Sequence, residues 1–140
     1  MSELPTSKEA QDVKIADARS QGFTIVYDDD YTLLLDLDSN QAHDMFYENL
    51  GVLQQYLEVV IHDHWHSKSS TPEHRRSHVI LKLGNPLDTA SRHLLQASLG
   101  SDPKRELLYW IQARTGPSRA NVLFKPPVSK PDEGPDDNPF

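Results

Sequence analysis

Cysteine is missing from all 140 residues, which excludes a disulfide framework, a thiolate metal site and a thiol nucleophile. No apolar run approaches the roughly 20 residues that cross a bilayer. The opening MSELPTSKEAQ is polar, where a secretion signal is apolar. The expectation is a soluble, cytoplasmic domain with tails, long enough for a real core. Bases are also scarce: 14 Lys and Arg stand against 21 Asp and Glu, a net charge of −7. The chain as a whole is therefore no general nucleic-acid binder. The charge is uneven, however. Residues 131–140 carry four acids and no base, whereas 67–76 are net basic through Lys68, Arg75 and Arg76 against Glu73. Local phosphate affinity is compatible with overall acidity.

What is present centres on Thr32 to Asp38, TLLLDLD. Side chains alternate along a strand, so Leu33, Leu35 and Leu37 share one face and Thr32, Leu34, Asp36 and Asp38 the other. The leucine face belongs against helices. The two carboxylates at the far end repel one another and lose free energy when partly desolvated. A divalent cation on oxygen ligands relieves both costs. The same strand also reads as ending in a solvated acidic turn, with Asp38-Ser39-Asn40 capping the next helix.

Around this strand the chain divides into an N-terminal helix or arm (1–20), a domain (21–125) and a Pro- and Asp-rich tail (126–140) expected to be disordered. Phe23–Tyr27 is β-branched and aromatic, a strand, and Asp28–Asp30 turns so that TLLLDLD returns as its antiparallel partner. A helix opens at Ser39-Asn40 and runs to about Val60 on the spacing of Met45, Phe46, Leu50, Leu53 and Leu57. Ile61–Ser67 alternates and places His62, His64 and His66 on one face. Ser77–Leu83 is the next strand, with Val79, Leu81 and Leu83 facing the core and His78, Ile80 and Lys82 facing away. A helix follows from Asp88 or Thr89 to Leu99, stopped by Gly100. Another runs from Pro103 to Arg114 behind Ser101-Asp102, and Asn121–Phe124 is a short edge strand. The order β-β-α-β-β-α-α-β predicts an α+β fold, a mostly antiparallel sheet with helices on one face and the other open.

The same facing rule brings Asp36, Asp38 and His78 together on that open face. Asp102 joins them by position, as an N-cap whose carboxylate can also point into a site. An Asp-x-Asp closing a hydrophobic strand, a helix, a Ser-rich turn, Ser77-His78 opening a second strand and then a third acid resemble the catalytic palm of archaeo-eukaryotic primases, including primase-polymerases of plasmids, phages and integrated elements. The resemblance spans about Phe23 to Phe124 and implies an RRM-like palm. It implies that Asp36, Asp38 and Asp102 hold Mg²⁺ or Mn²⁺, and that Ser77 and His78 contact nucleotide phosphate. The approach Ser67-Lys68-Ser69-Ser70 is similar to that family's loop, with Thr71-Pro72-Glu73 where glycines are usual. It further implies DNA replication or priming of a mobile element, with nucleoside triphosphates and a single-stranded DNA template as substrates. Asp36, Asp38 and His78 are then the catalytic set. Lys68, Arg75 and Lys82 join His78 on phosphate oxygens.

Two other readings stay open. His64-Trp65-His66 has the His-hydrophobe-His form of rolling-circle endonucleases, with Tyr109 as nucleophile. Alternatively the domain is a non-catalytic replication or nucleic-acid-binding module. In that case the acidic tail ending in Phe140 is either a hook for a replication protein or a solubilising segment. Arg75-Arg76 reads equally as a solvated hairpin tip.

Overall fold

The computed structural model describes residues 8–115 and 121–127. The elements run α1 (Lys8–Ser20), β1 (Thr24–Tyr27), β2 (Thr32–Leu37), α2 (Asn40–Leu53), β3 (Val59–His66), β4 (Ser77–Leu83), α3 (Thr89–Ser98), α4 (Pro103–Thr115) and β5 (Val122–Lys125). Beyond Pro127, the expected tail lies outside the described residues. The fold is α+β and palm-like, with four helices and antiparallel sheets of two and three strands among the described residues.

Alternation along β2 sets its place. Leu33, Leu35 and Leu37 are fully buried with Phe46 and Leu50 of α2, Val79, Leu81 and Leu83 of β4, and Leu99. The larger sheet has the order β2-β4-β3. β2 and β3 are thus parallel to one another, with α2 connecting them and β4 inserted between. Each fully buried leucine here is worth about 1.5–3 kcal/mol of transfer free energy, which fixes the face of β2 that turns inward. A one-residue slip would bury Asp36 and expose the leucines.

Four expectations change on contact with the structure. β1 does not pair with β2; it pairs with β5, Thr24 opposite Lys125 through Tyr27 opposite Val122. The turn between β1 and β2 is held instead by the buried Arg92, whose guanidinium reaches Asp28 at 3.2 Å and Asp30 at 3.0 Å. Helix α2 ends at Leu53, not Val60, because Val59, Val60 and Ile61 are β-branched and stiff at χ1. They enter β3 instead. The three histidines do not share a face, since the β3–β4 register shifts between Ile61 and Asp63. His64 and His66 point with Val79 and Ser77 toward the helices, while the exposed His62 sits in the bulge. Finally, the second sheet face is open only in part. The β1–β5 ribbon covers Leu34 and Ile80 through Leu123 and Val26, leaving the Asp36–His78 end partly exposed.

β2 is also a sheet edge, and side chains close it. Leu34 N–H donates to Gln96 Oε1 and Asp36 N–H to Ser101 Oγ, both at 3.0 Å. The Asp36 carbonyl accepts from Asp102 N–H at 2.8 Å. The α3–α4 corner thus supplies the hydrogen bonds a further strand would have made. Gly100 lets that corner form, at φ +95° with an added Cβ 2.5 Å from the Ala42 carbonyl oxygen. Gly100→Ala combines a strained dihedral with a backbone collision and should cost on the order of 2–3 kcal/mol. A thermal melt should show a loss of roughly 5–10 °C. An unchanged melting temperature would mean that the corner relaxes freely.

Candidate metal centre

Asp36, next to last in β2, lies opposite His78 of β4. Asp38 follows one pleat later, just before Ser39 caps α2 by accepting from Ala42 N–H. Asp102 precedes Pro103 at the start of α4, where its Oδ1 accepts from Lys104 N–H at 3.1 Å. Its capping and clustering readings hold together, because the same corner is tied to the Asp36 carbonyl. Asp36, Asp38 and Asp102 are each half-buried and offer one oxygen apiece, all within 4.8 Å of one another.

The electrostatics are those of a site short of positive charge. Burial first, and then the neighbouring Asp38 carboxylate, push the Asp36 carboxyl up to about 7, with Asp102 adding to the rise and Arg105 opposing it. His78 moves the other way. Burial and Arg105 hold its imidazole down to about 4, against the pull of Asp38. The 3.6 Å approach of His78 Nε2 to Asp36 Oδ1 is therefore not an ion pair at neutral pH, since the imidazole is uncharged. His78 Nδ1 is buried with no hydrogen-bond partner among the described residues. Three carboxylate oxygens with no sulfur ligand suit a hard divalent cation such as Mg²⁺ or Mn²⁺. A bound cation would offset both the burial and the repulsion that hold the Asp36 proton on. The residues fit the ion.

The other expected site residues are dispersed. Ser77 is fully buried on the helix side of β4. Its Oγ lies 2.8 Å from His43 Nε2 and 3.2 Å from His66 Nδ1, so it faces away from any phosphate at His78. Lys82 shares the His78 face but sits four residues along, roughly 13 Å at strand rise. There its Nζ donates to Thr32 Oγ1 at 2.7 Å. Lys68 is exposed in the β3–β4 connection, at the sheet end where Leu37 pairs with Ser77 and β2 gives way to α2. Arg75 lies in the same connection, pinned through its N–H and Nε to Asn40 Oδ1. Tyr109 stacks on His93 with ring centres 6.2 Å apart, on the β2 side. His64 and His66 lie on β3, across β4 and facing the helices, so tyrosine and histidines are not brought together.

The sequence reading missed the polar core that holds the cluster. Glu106, 3% exposed, accepts from Ser101 Oγ at 2.7 Å and Arg105 Nη1 at 2.8 Å. It also accepts from Gln96 Nε2 and lies 2.7 Å from His93 Nδ1. Arg105 continues to Asn121 Oδ1 at 2.7 Å and the Val122 carbonyl at 3.2 Å, tying the ribbon to the same corner. The run SDPKRE carries a partial signal, a capping acid at Asp102 ahead of a helix start, but nothing local shows that Arg105 and Glu106 turn inward.

Fold and cluster together describe an α+β protein in which three aspartates each bring an oxygen close enough to share one cation. No protein-family model, curated protein or solved structure matches the chain.

Proposed function

We propose that the chain is a divalent-metal-dependent nucleotidyltransferase, related to primase-polymerases, that joins nucleoside triphosphates on a single-stranded DNA template. The observation that carries this reading is the meeting of Asp36, Asp38 and Asp102 within 4.8 Å, from a strand end, a turn and a helix start. Asp36, Asp38 and Asp102 would hold the divalent ion, which would supply charge neutralisation for the triphosphate and acidify the attacking 3′ hydroxyl. The chain's own share is geometric and electrostatic. Asp36 presents a ligand oxygen from a strand that packing and the α3–α4 corner hold rigid, and Asp38 one from the turn that follows it. Asp102 adds a third oxygen from a capped helix start. Asp36 gives up its proton to become a ligand. Neutral His78, next to Asp36, is placed to donate from Nε2 to a phosphate oxygen. Lys68 and Arg75 stand at the same end of the sheet, where a triphosphate tail would need positive charge.

The test is incorporation of labelled nucleotide on a single-stranded template with Mn²⁺. Asp36→Asn should lower it about a thousandfold or more, the several kcal/mol that metal-held charge supplies. Tyr109→Phe should leave it nearly intact. A covalent protein–DNA adduct that Tyr109→Phe abolishes would instead identify a nicking enzyme. DNA binding that ignores both substitutions and divalent ions would identify a non-catalytic module.

A further inference from the structure

Cross-strand neighbours in an antiparallel sheet share a face, and one such row, Asp36–His78–Trp65, crosses all three strands. The Trp65 and His78 ring centres lie 5.4 Å apart at an interplanar angle of 72°. His78 is in turn 3.6 Å from Asp36. A half-buried indole is thus coupled to the aspartate cluster through a single imidazole. The indole is seated on Leu34, Ile80 and Leu123, which fixes its orientation. Lys125 Nζ lies 5.7 Å from its ring centre and is held by the Asp63 carboxylate.

The geometry points to Trp65 as a platform on which a nucleobase stacks, while the sugar-phosphate of the same nucleotide crosses His78 to the aspartates. Two strand spacings, about 10 Å, separate Asp36 from Trp65, a span that a nucleoside phosphate bridges from phosphate to base. Stacking on indole tolerates every base, because each has a π-face. The structural alternative is that Trp65 only fills the small core under the ribbon. The choice of ligand rests on the nucleotidyltransferase reading, and the platform itself does not.

Trp110→Phe leaves Trp65 the only tryptophan of the two in the chain, so its emission reports the site directly. Two probes separate the sources of a base: dATP with Mg²⁺, and a short oligothymidylate without metal. Saturable quenching by dATP supports an incoming nucleotide on the platform. Quenching by the oligothymidylate supports the strand. Trp65→Leu should weaken whichever probe binds by at least about tenfold, and Trp65→Phe, which keeps an aromatic face, should retain most of the affinity. Mg²⁺ binding without nucleotide should be the same in Trp65→Leu as in the wild type. If the leucine variant fails to fold, the sole-tryptophan emission and the phenylalanine variant decide. No quenching by either probe while Mg²⁺ still binds overturns the platform alone. Quenching without any Mg²⁺ binding sinks the nucleotidyltransferase reading and leaves the platform standing.

Discussion

Replacing Asp38 with alanine is expected to erase the thermal stabilisation that Mg²⁺ or Mn²⁺ gives the wild-type chain, and to make the metal-free protein slightly more stable. Both effects have one cause. Asp38 is the neighbouring charge that adds to burial in raising the Asp36 carboxyl to about 7, so the metal-free fold stores like-charge repulsion that alanine removes. An ion that binds only the folded state stabilises it by RT ln(1 + [L]/Kd), about 2.7 kcal/mol at a hundredfold excess over Kd. For a chain of 140 residues that is a rise of several degrees, on the order of 5–10 °C. Thermal melts with and without Mn²⁺, on wild type and Asp38→Ala, read both effects. A wild-type melting temperature indifferent to divalent ions, with and without nucleotide, would make the end of β2 a wet acidic turn.

The second large effect is on pH. Between pH 5 and 7 the affinity for Mn²⁺ should rise roughly a hundredfold, tenfold for each unit, because binding must expel one proton from Asp36. An ordinary aspartate, titrating at 3.8, would leave the affinity flat over that window. His78 does not compete there, since it is held to about 4 and is already neutral. Metal-free stability is the wrong observable for these shifts. A carboxyl raised from 3.8 to about 7 contributes stability fully below pH 3.8 and loses it as pH rises through 7. An imidazole lowered from 6.5 to about 4 contributes above pH 6.5 and loses it as pH falls through 4. The two slopes oppose one another across the same window. Calorimetric titration at several pH values, in buffers of different ionisation enthalpy, reports both the affinity and the proton released. Asp36→Asn should bind weakly with no pH slope; a flat wild-type profile would contradict the Asp36 shift.

The alternation of TLLLDLD makes the inward leucines, the outward acids and the partnership with His78 legible in the sequence, because period two is a local property. Gly100 and Pro103 mark the α3–α4 corner just as clearly, through the backbone states they permit. The pairing of β1 with β5 joins residues about a hundred apart, and no local pattern encodes it. The His62 bulge escapes for another reason. Strict alternation is assumed in assigning faces, so a single extra residue reverses His64 and His66 without changing the composition. Ser77-His78 shows the limit of motif matching. Adjacent strand residues face opposite ways, so the histidine reaches the aspartates while the serine is buried against His43. The Glu106 network stays hidden because the groups that bury it are distant in sequence: Gln96 and Ser101 reach Leu34 and Asp36 of β2, and Arg105 reaches Asn121.

The central claim is tested most directly by a crystal soaked with Mn²⁺ and a nucleoside triphosphate, measured for anomalous scattering. The account predicts a manganese peak bounded by oxygens of Asp36, Asp38 and Asp102, with triphosphate density on the same side of the sheet as His78. A peak at His64 and His66 instead, or none at the aspartates at saturating Mn²⁺, would contradict it.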